Sequence, residues 1–85
     1  MNSKIAEIDV HGFTRLKAKE YIYEEIKKYQ KRGIYTFKII HGFNNGNVIK
    51  SWLKNSKDII NDLYAQVIDD IFNPGVTIII SSKTH

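Results

Sequence analysis

The chain has no cysteine. That excludes a disulfide scaffold, a thiolate metal site, an iron–sulfur cluster and a cysteine nucleophile. One proline and five glycines are too few for a low-complexity or collagen-like chain. No apolar run approaches the roughly 18–20 residues that cross a bilayer, and residues 1–20 hold no signal-peptide core. The expected compartment is therefore the cytoplasm, with no membrane partner. With 85 residues, 42% hydrophobic and 26% charged, the chain reads as a single ordered domain, 1–85, with a small core.

Acidic residues are scarce where basic ones gather. Residues 1–54 hold eleven basic and five acidic side chains, a net of +6, while residues 55–85 hold two and four. A basic front half suits a polyanion such as nucleic acid, and equally a solvated surface.

Ile5 to Val10 alternates and reads as a strand, with Ile8 and Val10 on one face and Glu7 and Asp9 on the other. Thr14 is a candidate N-cap for a helix over residues 15–32, whose apolar positions are Ala18, Tyr21, Ile22, Ile26 and Tyr29. Gly33 is its natural stop. Tyr35 to Ile40, β-branched and aromatic, reads as a second strand. It runs into the loop His41-Gly42-Phe43-Asn44-Asn45-Gly46. Asn47 can cap a second helix to about Lys54, with Val48, Ile49, Trp52 and Leu53 apolar. Asp58 to Leu63 reads as a further helical turn or a loop. A third strand lies around Gln66–Ile68, Asn73-Pro74-Gly75 marks a turn, and Val76 to Ile80 is a final strand before a frayed tail, Ser82–His85. The order is βαβαββ. The first two strands are parallel across a right-handed crossover and the last two form an antiparallel hairpin. Two helices cover one face of a mixed four-stranded sheet, an α/β (α+β) two-layer sandwich that leaves the Asp9 side more open.

Both parallel strands end in histidine, and ligands bind α/β sheets beyond the carboxyl ends of their strands. His11 and His41 are thus expected at one sheet edge. Asp9 and His11 stand at i and i+2 on one face, so the carboxylate can orient the imidazole. Free N–H groups at Gly46, Asn47 and Val48, with the helix dipole, suit a phosphate. Gly42 and Gly46 allow close approach, and Lys50 adds charge. Two histidines beside such a cradle fit phosphodiester chemistry, one as base and one as acid, each contributing about 10²–10⁴-fold. Arg15, Lys17 and Lys19 open the first helix, where cations oppose the dipole, so they are better placed at the site than the cluster Lys27–Arg32, roughly 25 Å away along the helix. Asp9, His11 and His41 also have acceptable metal-ligand chemistry. Trp52 and the helical tyrosines read as core.

Ile8-Asp9-Val10-His11-Gly12 resembles the Leu-Asp-Leu-His-Gly signature of the Smr (small MutS-related) domain family. His41 to Gly46 resembles its second signature, His-Gly-x-Gly-x-Gly, and Trp52-Leu53 sits where the family often carries an aromatic–Leu pair. The likeness covers about residues 7–81. It implies a βαβαββ fold similar to the C-terminal domain of bacterial translation initiation factor three, nucleic-acid binding and, in several members, endonuclease activity on DNA or RNA. The residues it implicates correspond to Asp9, His11 and His41. Two departures stand out. Asn44 replaces the middle glycine of the second signature, and Asn73-Pro74-Gly75 replaces a Gly-Gly-x-Gly loop.

The expected function is a nucleic-acid-binding domain that hydrolyses or nicks phosphodiesters. Asp9, His11 and His41 are its catalytic set, and Gly12, Arg15, Gly42, Asn44, Asn45, Gly46, Asn47 and Lys50 its phosphate contacts. No fixed metal is expected, because there is no Glu/Asp cluster of the two-metal kind; recruited Mg²⁺ or Mn²⁺ is the alternative. The rival reading is a non-catalytic nucleic-acid-binding or protein-interaction module of a larger DNA repair, recombination or RNA-processing protein, of which this chain is the C-terminal part. As an isolated domain the chain is expected to be a monomer.

Overall fold

A computed structural model describes residues 4–42, 46–57, 61 and 65–81. The expected loop residues Asn44 and Asn45, the segment Asp58–Leu63 apart from Asn61, and the tail Ser82–His85 lie outside the described residues. The elements run β1 (Ile5–Asp9), α1 (Arg15–Gln30), β2 (Thr36–Ile40), α2 (Gly46–Asn55), β3 (Gln66–Asp69) and β4 (Val76–Ile80). They form one sheet in the order β1-β2-β4-β3, with β1 and β2 parallel and β4 antiparallel to both its neighbours. The βαβαββ order and the mixed four-stranded sheet are those expected. β4 inserts between β2 and β3, so the final hairpin binds the first half of the chain through its second strand.

Alternation decides which face is covered. Ala6, Phe37, Ile79 and Val67 stand side by side in register, as do Ile8, Ile39 and Thr77. Against this face α1 buries Ala18, Ile22 and Ile26, and α2 buries Ile49 and Leu53. Full burial of such a side chain stabilises by about 1.5–3 kcal/mol. Phe37 sits fully buried at the centre, its ring 6.4 Å from that of Tyr29. The other face carries Glu7 beside Lys38 and, further along, Ile78 and Ile68. No helix among the described residues covers it.

The helix ends follow local chemistry. Thr14 is extended and its side chain accepts from the Lys17 N–H at 3.3 Å, the expected N-cap. At the other end the Gly33 and Ile34 N–H groups return to the Gln30 and Tyr29 carbonyls at 3.0 and 3.1 Å. The helix therefore stops at Gln30, two residues short of the expected Arg32, because its last carbonyls are taken by this reversal. α2 starts at Gly46, one residue before the expected cap Asn47. Tyr21 and Val48 leave the core stripes assigned to them. Tyr21 is 38% exposed and stacks its ring 5.5 Å from Phe13, and Val48 is 55% exposed. Tyr21 flanks the buried stripe Ala18, Ile22 and Ile26, and Val48 lies in the first turn of α2 next to buried Ile49. Among the described residues no helix is long and apolar enough to cross a membrane.

Candidate functional site

The carboxyl ends of β1 and β2 meet as the topology requires. The Val10 N–H donates to the Ile40 carbonyl at 2.9 Å, carrying the parallel pairing one residue past β1. Val10 stays fully buried, so the chain turns its next side chain outward. His11 is 70% exposed and Asp9 52%. The His11 ring Nδ1 lies 2.6 Å from Asp9 Oδ1, and the same oxygen accepts the His11 backbone N–H at 3.1 Å. An ionised carboxylate only accepts, so Nδ1 carries the proton. The neutral ring therefore presents Nε2 to solvent as a lone-pair acceptor. These two bonds, the ring first, hold the Asp9 carboxyl below its usual 3.8.

His41 has a different environment. It continues the buried alternation of Phe37 and Ile39 and is only 2% exposed. Its Nδ1 lies 3.0 Å from the Gly42 carbonyl oxygen, and its Nε2 lies 2.8 Å from Thr77 Oγ1. A carbonyl only accepts, so Nδ1 donates to Gly42, and in the neutral ring Nε2 accepts from the Thr77 hydroxyl. Both ring nitrogens are thus committed inside the protein. The structure brings His11 and Asp9 together in solvent and places His41 behind them, on the helix-covered side.

Gly42 joins the three loops. Its N–H and that of His41 both donate to the Gly75 carbonyl at 3.0 Å, so the β3–β4 turn is bolted to the end of β2. Gly42 has φ +83°, and a Cβ built there would lie 3.5 Å from His11 Cβ. A Cβ built at Gly75 would lie 3.4 Å from the Gly42 backbone. Gly42 thus lies beside His11 in a left-handed conformation that favours glycine, while the space at both positions would still admit a Cβ at ordinary contact distance.

A cleft of about 290 Å³ opens at the residues that directly follow His11, lined by Gly12, Phe13, Thr14, Arg15, Val48 and Ile49. The first turns of α1 and α2 face each other across it, so two positive helix ends and the Arg15 side chain converge there. Lys50, half-buried on α2, lines a separate shallow hollow of about 510 Å³ with Ser51, Lys54 and Asn55. The Lys54 ammonium is tied to Asp69 at 2.9 Å, and that bond holds the Asp69 carboxyl below its ordinary value. Gly46 and Asn47, expected as loop end and cap, both lie in the first turn of α2. No group of three or more His, Asp or Glu residues placed to hold a metal ion occurs among the described residues. Asp9 and His11 supply two acceptable donors, and His41, turned inward, does not complete the set.

The profile of the Smr domain matches residues 8–80. The chain belongs to the Smr domain family. A solved structure, the Smr domain of Thermus thermophilus MutS2, superposes with a TM-score of 0.76 at 18% identity, over 91% of this chain and 98% of that one. At that identity the likeness concerns the fold. No curated protein matches the sequence. In this Smr domain the described parts of the two signature segments lie at the ends of β1 and β2, and the second is hydrogen-bonded through His41 and Gly42 to Gly75 of the β3–β4 turn. Thr77, the partner of His41, is the one polar residue in Val76–Ile80, and that is its sole sign in the sequence. Phe13 and Val48 carry no sequence mark of cleft walls, and Val48 reads there as an apolar helix position.

Proposed function

We propose that this Smr domain binds nucleic acid across the edge where β1 and β2 end, and that the Asp9–His11 pair supplies acid–base chemistry to a phosphodiester there. The observation that carries the reading is the exposed His11 ring, fixed by Asp9 with Nε2 open to solvent, beside a cleft lined by Arg15. Nε2 can take a proton from an attacking hydroxyl, and the imidazolium so formed is stabilised by the Asp9 carboxylate. The N-terminal turns of α1 and α2, with Arg15 and Gly12, would hold the phosphate, and the segment Gly42–Asn47 with Lys50 would extend that contact. His41 serves the loop in this reading. Its ring fixes the Gly42 carbonyl, and Gly42 lies beside His11. A divalent ion, if one takes part, would reach Asp9 and His11 from solvent and supply charge neutralisation at the phosphate.

A second reading, binding without cleavage, is favoured by one observation: of the two signature histidines only His11 is open to solvent, so among the described residues no second imidazole stands at the site for the other proton transfer. Binding is tested by titrating labelled single- and double-stranded DNA and RNA at several salt concentrations. The proposal expects affinity that falls linearly on a log–log salt plot, with a shallower slope, by about one, in Arg15→Ala. Affinity that ignores both salt and Arg15→Ala would refute this placement of the nucleic acid.

A further inference from the structure

We propose that the turn between β3 and β4 is a base-stacking wedge, in which Phe72, flanked by Ile71, takes the face of an unpaired nucleobase beside the Asp9–His11 pair. This deepens the nucleic-acid reading above and rests on it. Phe72 is 91% exposed and Ile71 85%, the two most exposed large apolar side chains among the described residues. Neither belongs to the core. The turn that carries them is internally braced. Asp70 Oδ1 accepts the Phe72 N–H at 2.9 Å, Asn73 Oδ1 accepts the Gly75 N–H at 3.0 Å, and the Val76 N–H donates to the Asn73 carbonyl at 3.0 Å. The Asp70 carboxylate is thus engaged inside the turn rather than directed only at solvent.

The brace continues into the site. The Gly75 carbonyl takes the His41 and Gly42 N–H groups, and Gly42 lies beside His11, close enough that a Cβ built on it would touch His11 Cβ at 3.5 Å. Phe72 stands three residues from Gly75, a span of at most about 11 Å. That is about three stacked nucleotides at ~3.4 Å each. An aromatic carried on a braced turn at that reach can unstack or cap a base next to the scissile phosphate without reading its identity, since every base has a π-face. A protein partner fits less well. An aromatic side chain offers about 150–250 Å², so this two-residue tip supplies about half of the ~800 Å² that each side of a stable protein interface buries.

The test measures binding of a labelled single strand, and of the same sequence as a blunt duplex, to the wild-type chain, Phe72→Ala and Phe72→Trp. Phe72→Ala is expected to weaken single-strand binding by about 5- to 150-fold, to leave duplex binding unchanged, and to unfold at the wild-type temperature, while Phe72→Trp restores the single-strand affinity. Wild-type affinity for the single strand in Phe72→Ala would overturn the wedge and leave the nucleic-acid reading standing. Equal losses on both forms would overturn it too, by making the tip a backbone contact. A wild-type dimer that Phe72→Ala converts to monomer would overturn it in favour of a second copy. No binding of either form by the wild type would defeat the proposed function itself.

Discussion

Thr77→Val is the substitution that most sharply tests how the site is held. Thr77 is fully buried and its hydroxyl is the partner of His41 Nε2 at 2.8 Å. Valine keeps the branched shape and removes the oxygen. No cavity opens, so the cost is that of an imidazole nitrogen left unpaired in a site 2% exposed. A buried polar atom stripped of its partner costs about 1–3 kcal/mol. In a domain of this size each kcal/mol moves the melting midpoint by about 4–8 °C, so the expected fall is roughly 4–24 °C. Urea and thermal unfolding followed by circular dichroism give the number. A double-mutant cycle with His41→Leu isolates the pair, with an expected coupling of about 0.5–3 kcal/mol. The effect should also reach the surface, since His41 holds the Gly42 carbonyl at 3.0 Å and Gly42 lies beside His11. The amide resonances of Gly42 and His11 should therefore shift in Thr77→Val. An unchanged midpoint with unchanged Gly42 and His11 resonances would refute the view that His41 and Thr77 brace the loop.

Gly42→Ala and Gly12→Ala form a matched pair. Both glycines have positive φ, +83° and +79°, so each substitution should cost about 1–2 kcal/mol in backbone strain, read by urea unfolding. Only at Gly42 would the new Cβ meet His11, so only Gly42→Ala should also move the His11 ring resonances. Asp9 makes a pH prediction. Its folded carboxyl is held below 3.8, so its stabilising contribution is in place above about pH 4 and is lost as pH falls through that lower value. Asp9→Asn should flatten this acid limb of stability against pH, measured by urea midpoints across the acid range. Phe37→Ala, at the fully buried centre of the sheet, should cost about 3–5 kcal/mol by the same unfolding assay and leave little folded protein.

Much of this arrangement is legible in the residues themselves. The alternation Ala6, Ile8, Val10 and the helical spacing of Ala18, Ile22 and Ile26 assign the buried faces correctly, because burial imposes a period of two on a strand and 3.6 on a helix. The Asp9–His11 pairing follows from i, i+2 spacing and needs no tertiary information. The environment of His41 does not follow. A histidine after Ile39-Ile40 looks the same whether its ring turns to solvent or under a helix. Its fate depends on β4 lying against β2 and bringing Thr77 beneath it, a pairing fixed by sheet order rather than by any neighbouring residue. Glycine and asparagine both serve at helix starts, so the residues alone leave open whether α2 begins at Gly46 or after Asn47. Periodicity marks a helix face but not how far the buried stripe extends around it, which is why Tyr21 and Val48 stand at its margin.

Cleavage is the most direct test of the Asp9–His11 proposal. The purified chain and its His11→Ala variant are incubated with end-labelled RNA and supercoiled plasmid, in EDTA and then with Mg²⁺ or Mn²⁺, while binding is measured in parallel. The account predicts cutting by the wild type that falls by about 10²–10⁴-fold in His11→Ala with binding retained. Equal cutting by both proteins, or bound nucleic acid that neither protein cuts in any of these conditions, would contradict it.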